Sequence, residues 1–293
     1  MTPRDTALAA FTSIVWGLAF VATRFGLEGF TASQLTALRF LIAATPIFFI
    51  ARPAVSWHLL VLIGLTLFAG QFLLLFLAFR HGIPPGLASV TQQTHVFLTV
   101  LLAALLLGER PTARQGAGMI LAAAGLVLVG LTVGADLPTF ALTLALAGAL
   151  SWAVGNLLMK QVRGRANVLP HRLVQPSAAF AHAAAVRIVG RGIVAGRGCG
   201  RIVDQSGRRP DLGAAATSAY AIWGGLLGRY PAAAVAPLAL LSPVTGVVAS
   251  ALVFGERFTV LRYAGMALIL AGLAVIVLRM PKRIATIPTA TVE

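Results

Sequence analysis

The chain has 293 residues, 58% of them hydrophobic and only 11% charged, with a formal net charge of +15. Its mean hydropathy of +0.90 lies far above that of soluble domains, which carry roughly 25% charged residues. So much apolar surface excludes a pair of soluble domains and points to a protein that crosses a membrane many times.

A helix needs about 20 apolar residues to cross the hydrocarbon layer. Taken in order, apolar windows predict spans near 7–27, 33–51, 58–79, 85–107, 114–133 and 140–160, then near 232–254 and 261–279. The first window is long enough to span, and no small-residue cleavage site precedes the next helix, so it reads as a span rather than a removed leader. None of the windows alternates with period two, which argues against an outer-membrane barrel. Gly and Ala inside the windows suit closely packed transmembrane helices. The lone Cys199 has no disulfide partner, and the five His residues make no ligand set. There is no Gly-rich phosphate loop, nucleophile elbow or His-Glu-x-x-His. Neither an enzyme nor a cofactor is expected.

Gly-Glu-Arg occurs twice, at Gly108-Glu109-Arg110 and Gly255-Glu256-Arg257, 147 residues apart. The register holds beyond it. Thr112 matches Thr259, Ala117-Gly118-Met119 matches Ala264-Gly265-Met266, and Ala124-Gly125-Leu126 matches Ala271-Gly272-Leu273. Trp16 with Arg24 is echoed by Trp152 with Lys160 at a smaller offset. An ordered motif repeated within an apolar helix pattern implies duplication and a transporter built from internal repeats. The expected fold is all-α: a polytopic bundle of two inverted five-helix repeats, about ten spans. Residues 1–135 form the first repeat, 136–280 the second and 281–293 a tail. With the N-terminus inside, most Lys and Arg fall on the inner loops, leaving Arg80, Arg257 and Arg262 outside. The two Gly-Glu-Arg turns then face opposite sides. They read as structural: each Glu precedes a new helix, where a carboxylate suits the positive dipole end, and Pro111 suits a helix start.

Residues 166–217 break the pattern. The wider stretch 163–212 holds nine of the 23 basic residues, threaded through Gly and Ala where the seventh span and the start of the eighth should lie. Three readings stay open here: a basic loop on anionic lipid, a nucleic-acid arm that the membrane context opposes, or a frameshifted stretch that keeps its length and loses its hydrophobicity.

Several segments carry a resemblance. Trp16-Gly17-Leu18-Ala19-Phe20-Val21, Leu38-Arg39-Phe40, Gly86-Leu87-Ala88-Ser89-Val90, Ser151-Trp152-Ala153-Val154-Gly155-Asn156, Tyr220-Ala221-Ile222-Trp223-Gly224 and Val235-Ala236-Pro237-Leu238 resemble the EamA family of the drug/metabolite transporter superfamily. They are most similar to its O-acetylserine/cysteine exporter branch. The resemblance implies ten helices in the inner membrane and a central cavity with alternating access. It also implies export of small amino-acid-like metabolites driven by an ion gradient. Expected partners are a small-molecule substrate and membrane lipid, with no nucleic acid; the oligomeric state stays open.

An exporter of zwitterions needs polar groups facing a cavity, because lipid-facing ones are costly. The candidates are Gln71 in the third span, Gln92 and His95 in the fourth, and Asn156 with Trp152 one turn apart in the sixth. Buried amides also serve as interhelical hydrogen bonds. His95 is the titratable group within an intact span that changes charge near neutrality, and so a candidate proton carrier. Arg39 offers a two-pronged donor to a carboxylate or a snorkelling side chain. Trp16 lines the cavity or packs.

Overall fold

The computed structural model describes residues 1–44, 56–134, 137–165, 219, 222–223, 225–226, 229–230 and 235–278. The basic stretch 166–217, Tyr220, the end of the second window and the tail 281–293 lie outside the described residues. Among those described no strand forms, and one isolated bridge joins Gly134 to Leu137.

Helix α1 (Pro3–Gly29) begins where the Thr2 hydroxyl accepts from the Asp5 amide and Pro3 fills the first helical position. Helix α2 is Ala32–Ala44. The third span, Trp57–Arg80, is α3 (Trp57–Ile63), a π-helical stretch (Gly64–Gly70) and α4 (Gln71–Arg80). The fourth, Pro85–Leu107, is α5 (Pro85–Thr91) and α6 (Thr94–Leu107), parted by a turn at Gln92 and Gln93. Then come α7 (Ala113–Gly130), α8 (Thr139–Arg165), a 3-10 turn (Ala236–Leu240), α9 (Leu241–Phe254) and α10 (Val260–Val277). Six of the described helices are long and apolar enough to cross a membrane, as a multi-pass membrane protein requires.

The bounds of α9 and α10 are those of α6 and α7 moved by the same 147 residues. Local signals explain this. Gly108 at φ 66° and Gly255 at φ 65° end their helices in the left-handed region that a side chain would strain. Thr112 and Thr259 then start the next helices, each accepting the amide three residues on. The caps are therefore these threonines and not Glu109 or Glu256, and Pro111 lies outside the helix it was expected to open, ahead of the Thr112 cap.

Packing runs through glycine. Helices α7 and α10 form the most extensive helix pair among the described residues. A methyl group on Gly125 would come within 2.5 Å of the Gly265 carbonyl, and one on Gly118 within 2.7 Å of the Gly272 carbonyl, so the backbones touch. Each helix also sends an arginine to the other's end. Arg114 Nε donates to the Val275 carbonyl at 2.5 Å. Arg262, 2% exposed, donates to Thr132 Oγ1 and to its carbonyl, both at 2.9 Å. Both reach the negative end of the partner helix, where unpaired carbonyls and the dipole favour a cation. Arg262 thus sits buried between helices and not in the outer loop expected for it.

Helix α8 packs against the third and fourth spans. A methyl on Gly155 would meet Leu67 Cβ at 2.6 Å. The wide π stretch loosens the usual i→i−4 bonding; there the Thr66 carbonyl accepts from Ser151 Oγ at 2.7 Å.

Candidate functional site

Helix α8 brings Trp152 and Asn156 to one face, and α6 answers with His95 and Thr99 at the same spacing. The His95 ring stacks on Trp152, 3.7 Å between centroids and 3° between planes. His95 Nδ1 lies 2.8 Å from the Gln92 carbonyl. A carbonyl can only accept, so Nδ1 carries the proton and the neutral ring keeps Nε2 as an acceptor. Thr99 Oγ1 donates to the His95 carbonyl at 2.6 Å and accepts from Asn156 Nδ2 at 3.2 Å.

Gln92 sits where the fourth span breaks, 1% exposed. Its Nε2 donates to the Ala145 carbonyl of α8 at 3.0 Å, which fixes the amide's orientation. Its Oε1 is buried with no hydrogen-bond partner among the described residues. A buried unmet acceptor costs about 1–3 kcal/mol, which marks this oxygen as a place for a donor. Gln71, also buried, opens α4 beside it. A methyl on Gly148 would lie 3.1 Å from the Gln71 carbonyl and 3.3 Å from Gln92 Nε2, so both glutamines converge on that glycine of α8.

Four predicted residues, Gln92, His95, Trp152 and Asn156, form one chain of contacts, with Gln71 at its edge. Trp16 lies in another cluster, its ring 5.1 Å from that of Trp223. Arg39 stands on α2, its side chain outside the described residues. Thr99, the link between His95 and Asn156, escaped the sequence reading because a threonine in an apolar helix is unremarkable.

Two further groups were missed. Asp5 is 7% exposed although it lies in the first turn of α1. Its Oδ2 accepts from Tyr230 Oη at 2.6 Å and from Thr2 Oγ1 at 2.7 Å, and its Oδ1 faces Arg229 at 3.4 Å. A cavity of about 470 Å³ opens there, lined by Thr2, Arg4, Asp5, Leu8 and Arg229. Asp5 precedes the apolar window 7–27, and the helix starts earlier than that window, at Pro3, which brings Asp5 into its first turn. At the other end of α1, the loop residue Glu256 accepts the Gly86 amide on Oε2 at 3.2 Å. Burial pushes the Glu256 carboxyl above its ordinary value of 4.5, opposed in part by the Ser250 hydroxyl, the Gly86 amide and the Arg24 charge. Proline at the first position of α5 leaves Gly86 with an amide that no helical carbonyl can take.

The chain resembles known proteins along most of its length. The model of the EamA-like transporter family matches residues 6–131. A probable amino-acid metabolite efflux pump of Salmonella typhimurium is 37% identical, over 93% of this chain and 94% of the relative. Its counterpart in Escherichia coli is 36% identical at the same coverage. A probable terminal-alkyne amino-acid exporter of Streptantibioticus cattleyicolor is 30% identical over 53% of this chain and 54% of its own length. One crystal structure aligns over 94% of this chain and 97% of its own, with TM-score 0.55 and 18% identity, a likeness of fold alone.

Proposed function

The chain belongs to the EamA-like transporter family, and we propose that it exports small amino-acid-like metabolites across the bacterial inner membrane by alternating access. At the coarser level it is a multi-pass membrane exporter of that family. The finer reading rests on one observation above all. The polar residues of the fourth and sixth spans, Gln92, His95, Thr99 and Asn156, lie together, joined by one bond between side chains (Asn156 to Thr99) and by side-chain bonds to main-chain carbonyls, instead of being scattered. Polar groups within a membrane are costly unless they bind each other or a passing solute, and the orphan Gln92 Oε1 is an acceptor for an ammonium or hydroxyl donor.

The layout is ten helices in two inverted repeats, 1–135 and 136–280, with the tail 281–293 beyond. Equal helix bounds at a constant offset and the glycine-to-glycine crossing of α7 and α10 support it. Residues Gln71, Gln92, His95, Trp152 and Asn156 line the substrate path, Arg39 and Trp16 its margins. Export is tested in cells challenged with excess cysteine or O-acetylserine. Cells making the chain tolerate the load, and Gln92→Ala weakens that tolerance at equal membrane abundance. Equal tolerance with and without the chain would overturn the reading.

A second reading is that the chain is a frameshifted remnant. Its support is compositional: residues 166–217 fall within the length over which relatives align to 93% of the chain, yet they lack the apolar composition of a membrane span. Restoring the alternative frame and finding export raised would support this; an unbroken frame shared by near relatives would remove it.

A further inference from the structure

Four charged or hydroxyl-bearing side chains line the cavity at the start of α1: Thr2, Arg4 and Asp5 from the beginning of the chain and Arg229 from the far side of its sequence. Tyr230, next to Arg229, holds Asp5 from outside the cavity lining. The cavity, about 470 Å³, falls within the range of small-molecule sites. One carboxylate stands between two guanidinium-bearing residues, the complement of a molecule that carries an ammonium and a carboxylate on neighbouring atoms.

The two oxygens of Asp5 are not equivalent. Oδ2 is held by two hydroxyl donors, while among the described residues Oδ1 meets only Arg229 Nη1, at 3.4 Å. Charge-assisted pairs normally close to about 2.7–2.9 Å, so this bond is long and Oδ1 has lone pairs to spare. The Arg229 side chain is 64% exposed against 10% for Asp5. One partner is fixed and the other free to turn, and exposed ion pairs of this kind hold weakly. A guanidinium that turns from Asp5 towards a carboxylate gains a two-pronged partner in exchange for a single long contact.

We propose that this cavity is the entry site for zwitterionic amino acids, the ammonium on Asp5 Oδ1 and the carboxylate on Arg229 and Arg4, and that their binding breaks the tie between the halves. The proposal rests on the export reading and adds a location and a chemical class to it. Asp5 lies in the first turn of α1, at the end that the charge pattern puts inside the cell, where an exporter must first meet its cargo.

The full chain in proteoliposomes tests it, with O-acetyl-L-serine as cargo and its N-acetylated derivative, which lacks the ammonium, as competitor. Asp5→Asn and Arg229→Gln should each raise KM about tenfold while kcat stays within about twofold, a split expected when binding and not turnover is lost. Asp5→Asn should also erase the preference for the free amine over the N-acetyl compound, and Asp5→Glu should restore it. Arg229 is exposed enough for its variant to fold even if the Asp5 variant does not. Unchanged KM and unchanged preference in both variants, alongside active wild-type protein, overturn the entry site and leave the export reading standing. Wild-type protein that moves no cargo overturns both.

Discussion

The two Gly-Glu-Arg turns share a backbone and differ in nearly every contact. Both close a helix with a left-handed glycine and open the next with a threonine cap. In the first turn Gln115 completes a capping box with Thr112, and Glu109 is exposed beside a hollow of about 190 Å³ lined by Thr99, Arg110 and Gln115 among others. In the second, the place of Gln115 is taken by Arg262, which has no acceptor to return to the cap and reaches across to Thr132 instead. Glu256 leaves its own helix and holds the amide of Gly86. Backbone turns are written in one or two local residues, so they survive duplication; side-chain partners depend on neighbours from the other half, and these diverged.

That contrast can be broken at Arg262. Arg262→Gln makes the second turn read like the first but removes two charged bonds to Thr132. Hydrogen bonds to charged groups contribute about 1.5–3 kcal/mol each, so the melting temperature in detergent should fall clearly, and more than for Gln115→Arg. An unchanged melting temperature would show that the burial of Arg262 contributes nothing. Next in size is Gly86→Ala. Its methyl would lie 2.9 Å from Glu256 Oε2 and 3.3 Å from both Ser250 Cβ and Val247 Cα, an overpacking that costs about 1–3 kcal/mol. Gly116→Ala, with nothing within 4 Å, is the matched control and should leave melting unaffected or slightly raised.

Smaller still are the caps. Thr112→Ala and Thr259→Ala should each cost about 1 kcal/mol, the first more because Thr112 Oγ1 also donates to Gln115 Oε1; equal losses would mean that this extra bond adds nothing. The finest probe is pH. A carboxyl raised above 4.5 in the folded chain is one whose protonated form the fold prefers. Its contribution is therefore full in acid and declines as pH climbs from 4.5 through the raised value. The melting temperature of wild type relative to Glu256→Gln should fall over that interval. A flat difference between wild type and Glu256→Gln would place Glu256 in open water.

Much of the skeleton was legible because membrane helices announce themselves by length and apolarity. The window 85–107 has the same limits as the fourth span, and the threonine and glycine signals set the limits of α7 and α10. The interruptions were not legible. Nothing in Gly64–Gly70 distinguishes a π stretch from an ordinary turn of helix; the partner its Thr66 carbonyl takes, Ser151, lies on another helix. At the break, Gln92 likewise takes its partner, the Ala145 carbonyl, from α8. The polar candidates were found because an amide or imidazole in a lipid-like sequence is conspicuous, and their pairing followed helical spacing: Trp152 with Asn156, His95 with Thr99. Trp16 looked equivalent to Trp152 by repeat, yet it meets Trp223 at a tilt of 56° while Trp152 stacks flat on His95. The role of Glu256 was misread because helix-dipole reasoning looks along one chain segment, and its partner amide lies 170 residues away.

The crossing of α7 and α10 has a mechanical meaning. Most helix pairs mesh side chain into groove, so turning one against the other must lift knobs out of holes. Here Gly118 rests on Gly272 and Gly125 on Gly265, and the side chains of Ile276, Ile269 and Val129 fill the notches that the glycines leave. Turning one helix on the other would have to lift those side chains out, and Arg114 and Arg262 fasten the two ends. The pair is a rivet.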